Sequence, residues 1–237
     1  MVNHLNMIVL HIVQLTDTVG FVTFYEFLQE FVKIFAKVIM GERIVAIFKA
    51  CVSRIVKDIQ KKQQAGAADT STVVIDKCCN ILRISLESNI YMPTLKAEFE
   101  ENLRPIYQYM ADPSKISFED DIILMLKSQI RKRKEITPTM WELFQQFPKV
   151  LEKNKHAFGN LFETINYFLI VGKVQLAQQT DNLKILYLMA DTALFTKNPN
   201  QTINNTEGAV MVQLLFQLMT GSEALDEIFR EVLDRVC

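Results

Sequence analysis

The feature that most constrains the fold of this chain is a pair of apolar helical stripes between Thr137 and Gly172. Thr137 is a favourable N-cap residue, and Pro138 sits at the first helical position, where its missing N–H costs nothing. Apolar residues then recur at spacings of three and four: Trp141, Phe144, Phe147, Val150 and Leu151, followed by Phe158, Leu161, Phe162, Ile165, Phe168 and Leu169. We expect Pro148 to bend the first helix and Gly172 to end the second, and both helices need neighbours to bury their stripes.

Stripes of the same kind predict helices along the whole chain. Their expected positions are about 3–16, 21–40, 43–63, 72–89, 93–110, 117–134, 137–153, 156–172, 181–196, 207–220 and 222–236. Polar stretches predict exposed loops near 64–71 and 197–206. Hairpin signals and alternation of strands with helices are absent, and glycine and proline are scarce, so the sequence predicts an all-α fold of about eleven helices.

The inward face of each helix follows from the same spacing. The residues expected to face the core are Phe24, Phe27, Leu28, Phe31, Ile34, Phe35 and Val38 in the second helix; Ile44, Ile47, Phe48, Cys51, Ile55 and Ile59 in the third; Val74, Cys78, Ile81, Leu82 and Leu86 in the fourth; and Leu95, Phe99, Leu103, Ile106 and Tyr107 in the fifth. We expect most of the sixteen phenylalanines to belong to the core.

Helix pairs recur at roughly 40 to 50 residues, a period within the range of HEAT and armadillo arrays. We therefore predict that residues 1–237 form a single HEAT-type α-solenoid of antiparallel helix pairs, with a compact helical bundle as the alternative. The end repeats of such a segment lack caps, so self-association through the end faces is expected.

The segment Ile136–Phe144 (ITPTMWELF), with Phe158–Val171 downstream, resembles the C-terminal half of importin-β-type karyopherins, nearest the branch of importins seven and eight. That branch has a V-S-P-x-M-W-x-L helix start followed by a phenylalanine-rich helix. The run Val73–Glu87 (VVIDKCCNILRISLE) is similar to an upstream helix of the same branch. The resemblance covers about 72–236.

The resemblance implies a segment of a nuclear transport receptor that binds protein cargo and nucleoporin Phe-Gly repeats and moves between cytoplasm and nucleus. The family binds the small GTPase Ran through N-terminal repeats, and neither that opening nor the family's long acidic insertion is evident in this chain. Two alternatives remain: a HEAT-repeat interaction scaffold without a transport role, and an all-helical enzyme.

Composition and motifs point away from several other classes. The formal net charge of −1 provides no basic field for nucleic acid, and charged residues interrupt the apolar runs before they reach the length of a membrane span. Four cysteines and three histidines show no zinc-ligand spacing, so buried or half-buried free thiols are expected. No phosphate-binding, nucleophile-elbow or metalloprotease motif occurs, so we predict no catalytic activity, cofactor or metal.

One charged run is a candidate binding site. Lys127, Arg131, Lys132, Arg133 and Lys134 could contact an acidic partner, although cations at the end of a helix also suit its dipole without any partner. At the other end of the same helix, Glu119, Asp120 and Asp121 are expected to fan out into water. His4, His11 and His156 are scattered, so we interpret them as satisfied or exposed histidines.

Overall fold

The computed structural model describes residues 2–35, 42–65, 70–89, 93–110, 118–154, 157–195 and 213. Every regular element in these ranges is an α-helix, which confirms the all-α class. The chain divides into two compact units, unit 1 (Met1–Arg133) and unit 2 (Lys134–Cys237). Apart from Gln213, the helices predicted at 207–220 and 222–236 and the loop at 197–206 lie outside the described residues. A single solenoid over 1–237 stays a prediction.

Unit 1 contains six described helices: α1 (Val2–Thr18), α2 (Val22–Phe35), α3 (Glu42–Ala65), α4 (Thr70–Asn89), α5 (Pro93–Met110) and α6 (Glu119–Arg133). Of the loop predicted near 64–71, residues 66–69 lie outside the described residues, and the predicted bounds are wrong because α3 continues to Ala65 and α4 begins at Thr70. Ala65 is a strong helix former, which suits its place at the end of α3.

The helices of unit 1 pack in a regular order. Helix α1 packs on α3 and α3 on α5, while α2 packs on α4 and α4 on α6. Sequential partners also touch, since α3 packs against α4 and α5 against α6. Each helix is therefore layered on the helix two places further along the chain, which gives two rows of three helices.

The faces predicted for α3, α4 and α5 are confirmed. All sixteen residues expected to face inward on these helices are buried, with exposed fractions of 0–7 %. The prediction for α2 is wrong in part. Its buried side is formed by Tyr25, Leu28, Phe31 and Val32, whereas Phe27, Ile34 and Phe35 are 59 %, 66 % and 39 % exposed. Val38 lies outside the described residues. Helix α2 is apolar on two sides, so helical spacing alone could not identify the side that faces α4.

Unit 2 contains α7 (Pro138–Phe144), α8 (Phe147–Lys153), α9 (Phe158–Gln178) and α10 (Thr180–Phe195). The predicted N-cap is confirmed, because the Met140 backbone N–H donates to Thr137 Oγ1 over 3.3 Å. The break falls at residues 145–146, before the predicted bend at Pro148, which lies in the first turn of α8. Proline has no N–H for the carbonyl four residues earlier, so the interruption appears at Phe144.

Aromatic rings form the centre of unit 2. Phe168 of α9 lies 5.0 Å from Trp141, 4.8 Å from Phe144 and 6.0 Å from Phe147, measured between ring centroids. Helix α9 continues beyond its predicted end at Gly172, which has non-helical angles (φ −113°, ψ 22°) inside the helix. A Cβ on Gly172 would lie 2.5 Å from Ile136 Cδ1 and 2.9 Å from Trp141 Cζ2. Glycine therefore permits the close approach of Trp141 to a bent α9.

Candidate functional site

The basic run at the end of α6 is partly used inside unit 1. Arg133 Nη1 donates to Glu100 Oε2 of α5 over 2.7 Å. The side chains of Arg133 and Glu100 are only 7 % and 14 % exposed. Arg131 Nη2 donates to Glu87 Oε1 of α4 over 2.7 Å. Both arginines thus join α6 to its neighbours, which a sequence cannot reveal because the partners lie 33 and 44 residues away.

The other three cations of the run differ from one another. Lys127 and Lys132 are half-buried, while Lys134 is exposed and has a left-handed backbone (φ 53°) directly after α6. That conformation is one common way for a helix to end. The five cations therefore do not form one uniformly exposed patch, and binding of an acidic partner by this run stays a prediction.

The acidic residues that begin α6 do not fan out into water as expected. Glu119 is only 5 % exposed, and Asp120 and Asp121 are half-buried. Burial raises the pKa of Asp121 to about 6, with further contributions from Asp76 and Asp120, while Arg83 opposes the shift. The packing of α6 on α4 brings these carboxyl groups together, and the sequence carries no local signal for it.

Asp121→Asn is expected to stabilise the protein above pH 7. The pKa of the Asp121 carboxyl is raised from 3.8 to about 6 in the folded state. The protonated carboxyl therefore favours folding, and this contribution to the free energy of unfolding is lost as pH rises through about 6. Asparagine removes the charge, which predicts a gain of about 1–3 kcal/mol in the free energy of unfolding at pH 8 and almost none at pH 3.5. Urea unfolding at both pH values measures the difference.

Asp181→Asn provides the matched control for that experiment. Asp181 also lies in the first turn of a helix, but its side chain is 85 % exposed beside Lys184. Its replacement should change stability by no more than about 0.5 kcal/mol. A loss of stability in Asp121→Asn at pH 8 would show that the charged carboxylate is favourable in the fold.

Two described histidines are exposed, and three described cysteines are buried. His4 and His11 are exposed, and His11 Nδ1 lies 2.8 Å from the Met7 carbonyl oxygen, whereas His156 lies outside the described residues. Cys51, Cys78 and Cys79 are buried free thiols, and burial raises the pKa of Cys78 and Cys79. Within the described ranges, no group of three His, Cys, Asp or Glu side chains could hold a metal ion. Among the described helices, none has both the length and the apolar character that a membrane crossing requires.

A polar network that the sequence did not predict connects α1, α2 and α3. The single proton of the Tyr25 hydroxyl is shared between the carbonyl oxygens of Thr16 (2.8 Å) and Val19 (3.0 Å), at the end of α1. Arg54 Nη1 also donates to the Val19 oxygen over 2.9 Å, and Arg54 Nε donates to Asp58 Oδ2 over 2.7 Å. Helix ends leave carbonyl groups without partners inside the helix, and here two other helices supply the donors.

Exposed apolar side chains are the main surface feature that the sequence did not locate. Eight of twelve large apolar residues that are exposed in the described ranges belong to α1, α2 or their connection: Met7, Ile8, Leu10, Leu15, Phe21, Phe27, Ile34 and Phe35. A second group lies in unit 2, where Ile170 and Val174 of α9 are 76 % and 65 % exposed. An excess of apolar residues over what one helix face can hold was the available signal.

Comparison of the chain with protein-family models, with curated proteins and with solved structures finds no match to any of them.

Proposed function

We propose that this chain is a segment of a HEAT-type α-solenoid that binds other proteins along its stacked helices. The observation that carries the proposal is the packing order of unit 1, in which α1, α3 and α5 form one row and α2, α4 and α6 form the other. Repeated helix pairs stacked on their neighbours are the unit of α-solenoids, whose extended surfaces serve protein binding.

The specific role that we propose is nuclear transport, in which the segment binds protein cargo and the Phe-Gly repeats of nucleoporins and moves between cytoplasm and nucleus. The support is the resemblance of Ile136–Phe144 and Phe158–Val171 to importin-β-type karyopherins. Ran is a partner of such receptors through parts of the family that are not evident in this chain. The alternative is a HEAT-type interaction scaffold without a transport role.

The site proposed for a Phe-Gly peptide lies on α9. Ile170 and Val174 lie on either side of the bend at Gly172, and both are strongly exposed. We propose that these two exposed apolar side chains border a shallow site for one phenylalanine ring. Recognition of this kind is weak at each site and depends on several sites acting together.

The experiment that tests this proposal measures binding of a fluorescent Phe-Gly repeat peptide to the purified full chain, by anisotropy. A peptide with serine in place of each phenylalanine is the ligand control. We expect binding of the Phe-Gly peptide alone, and at least tenfold weaker binding to an Ile170→Ser, Val174→Ser double variant that retains the helical circular dichroism of the parent chain.

Three results decide between the two roles. Equal affinity for both peptides, or no affinity in a folded sample, would leave the scaffold as the better interpretation. Retention of GTP-loaded Ran by the chain would show that the Ran-binding part of a receptor is present after all. Loss of binding in the double variant would locate the Phe-Gly site on α9.

A further inference from the structure

We infer that Cys51 of α3 and Cys78 of α4 form a buried redox site, at which a hydroperoxide converts the two thiols into a disulfide that joins the two helices. In the reduced chain both cysteines are fully buried free thiols. The inference depends on the packing of α3 against α4 and not on a role in transport.

The two thiols meet at the interface between α3 and α4. The Cys78 thiol donates a hydrogen bond to the sulfur of Cys51. A cysteine side chain is short, so this contact requires the two backbones to be close. Residues that face each other on helices packed at about 8–10 Å have Cα atoms roughly 3.5–5.5 Å apart. A disulfide needs about 4.4–6.8 Å between Cα atoms, so the contact lies close to the geometry of the bond.

The neighbouring Cys79 is directed toward another helix. Consecutive residues of a helix point about 100° apart, so α4 directs only one of its two cysteines straight at α3. Burial raises the pKa of the Cys79 thiol, and the next largest contribution comes from the charge of Asp121 on α6. Cys79 therefore lies on the side of α4 that faces α6, and Cys78 is the expected partner of Cys51.

The reaction needs one peroxide molecule for each pair of thiols. One thiolate attacks an oxygen atom of hydrogen peroxide, which breaks the O–O bond and gives a sulfenic acid and hydroxide. The second thiolate attacks the sulfenic sulfur, so that an S–S bond forms and the sulfenic oxygen leaves as hydroxide. The two thiol protons combine with the two hydroxides. Two thiols and one peroxide thus give one disulfide and two water molecules.

The surroundings of the pair slow the first step and favour the disulfide as product. Burial raises the pKa of the Cys78 thiol and the hydrogen bond to Cys51 adds to the shift, whereas the charge of Arg54 opposes it. Thiolate is the reactive form, so oxidation is slower than at an exposed thiol of ordinary pKa. Once one sulfur is oxidised, the other thiol is already in contact with it, and the disulfide forms before a second peroxide arrives.

The test treats the folded full chain with hydrogen peroxide, blocks the remaining thiols with N-ethylmaleimide in urea and digests with trypsin without reductant. Trypsin releases Cys51 in peptide 50–54 and both other cysteines of the site in peptide 78–83. Mass spectrometry should find these peptides joined, with the mass of two hydrogen atoms lost, and dithiothreitol should separate them. Because peptide 78–83 contains two cysteines, variants identify the bonded one.

Cys78→Ala and Cys79→Ala are the matched pair of variants. The specific geometry of a disulfide predicts that the folded Cys79→Ala chain gives the joined peptide at the yield of the parent, and the folded Cys78→Ala chain at least about tenfold less. In concentrated urea, Cys78→Ala should give the joined peptide through Cys79, because an unfolded chain does not distinguish neighbouring thiols. Circular dichroism and urea midpoints establish that each variant is folded, and serine variants replace any alanine variant that is not.

Three results would overturn the inference. The first is a folded parent chain without the joined peptide, although glutathione in the same solution has been oxidised. The second is a joined peptide that the folded Cys78→Ala chain keeps and the folded Cys79→Ala chain loses. The third is a parent chain that gives the joined peptide only in urea, since the fold would then hold the two thiols apart.

Discussion

Asp58→Ala is expected to destabilise unit 1 by about 3–5 kcal/mol, because it leaves the guanidinium of Arg54 buried without its carboxylate. The two side chains are only 3 % and 11 % exposed, and Arg54 Nε lies 2.7 Å from Asp58 Oδ2. After the substitution Arg54 keeps the Val19 carbonyl at 2.9 Å and the face of the Tyr25 ring, 5.7 Å from its centroid. Neither neutralises a full charge. Urea unfolding followed by circular dichroism at 222 nm measures the loss.

Two further variants separate the charge from the packing. Glu98→Ala removes an ion pair with Lys49, which belongs to α3 like Arg54 and Asp58. The side chains of Glu98 and Lys49 are 40 % and 53 % exposed, so the loss of this ion pair should cost no more than about 1 kcal/mol. The double change Arg54→Met, Asp58→Leu removes both charges, so its cost should be well below that of Asp58→Ala. An Asp58→Ala chain as stable as the parent would mean that water reaches the guanidinium in the folded protein.

The double variant should still be less stable than the parent by about 1 kcal/mol, the typical worth of one hydrogen bond. Arg54 donates to Val19 beyond the end of α1, and no methionine can replace that donor. The Tyr25 hydroxyl, whose pKa burial raises above its usual range, would remain as the donor to the same carbonyl. The network therefore has two contributions that the experiment can measure separately.

The contrast between α2 and α3 shows what helical spacing can predict. Helix α3 carries one apolar stripe and a long charged side, so its buried face follows directly from the sequence. In α2 the set with Phe27 and Ile34 and the set with Tyr25 and Val32 both satisfy the helical period. Only the position of α4 decides which set is buried, and that position is a property of the whole unit.

Long-range pairing explains the remaining differences at the candidate sites. Arg131, Lys132 and Arg133 lie in the last turn of α6, where cations suit the helix dipole. The sequence could not indicate that Glu100 and Glu87, on two other helices, receive Arg133 and Arg131. For the same reason the burial of Asp121 depends on α4 lying beside α6, whereas the Thr137 cap is local and was predictable.

Phe168→Ala is expected to destabilise unit 2 by about 3–5 kcal/mol, the range for removing a buried aromatic ring from a packed core. Phe168 is fully buried and is the ring that contacts Trp141, Phe144 and Phe147 together. These partners come from α7 and α8, so the ring joins three helices, and a cavity at its position removes contacts from each. Collapse into the cavity is limited by the rigid indole and by the close approach of Trp141 to Gly172.

Trp141 makes the measurement specific to unit 2, because it is the single tryptophan of the chain. Trp141 fluorescence follows urea unfolding of unit 2. The parent and the variant are compared by their urea midpoints, because the loss of Phe168 also changes the fluorescence of the folded state. Phe162→Ala is the control from the same helix: Phe162 is half-buried and contacts Phe158 at 6.3 Å, so its loss should cost clearly less. Equal costs for the two substitutions would show that Phe168 holds no central place in the core. A much larger cost for Phe168→Ala would show that the cluster of Trp141, Phe144, Phe147 and Phe168 stabilises the packing of α7, α8 and α9.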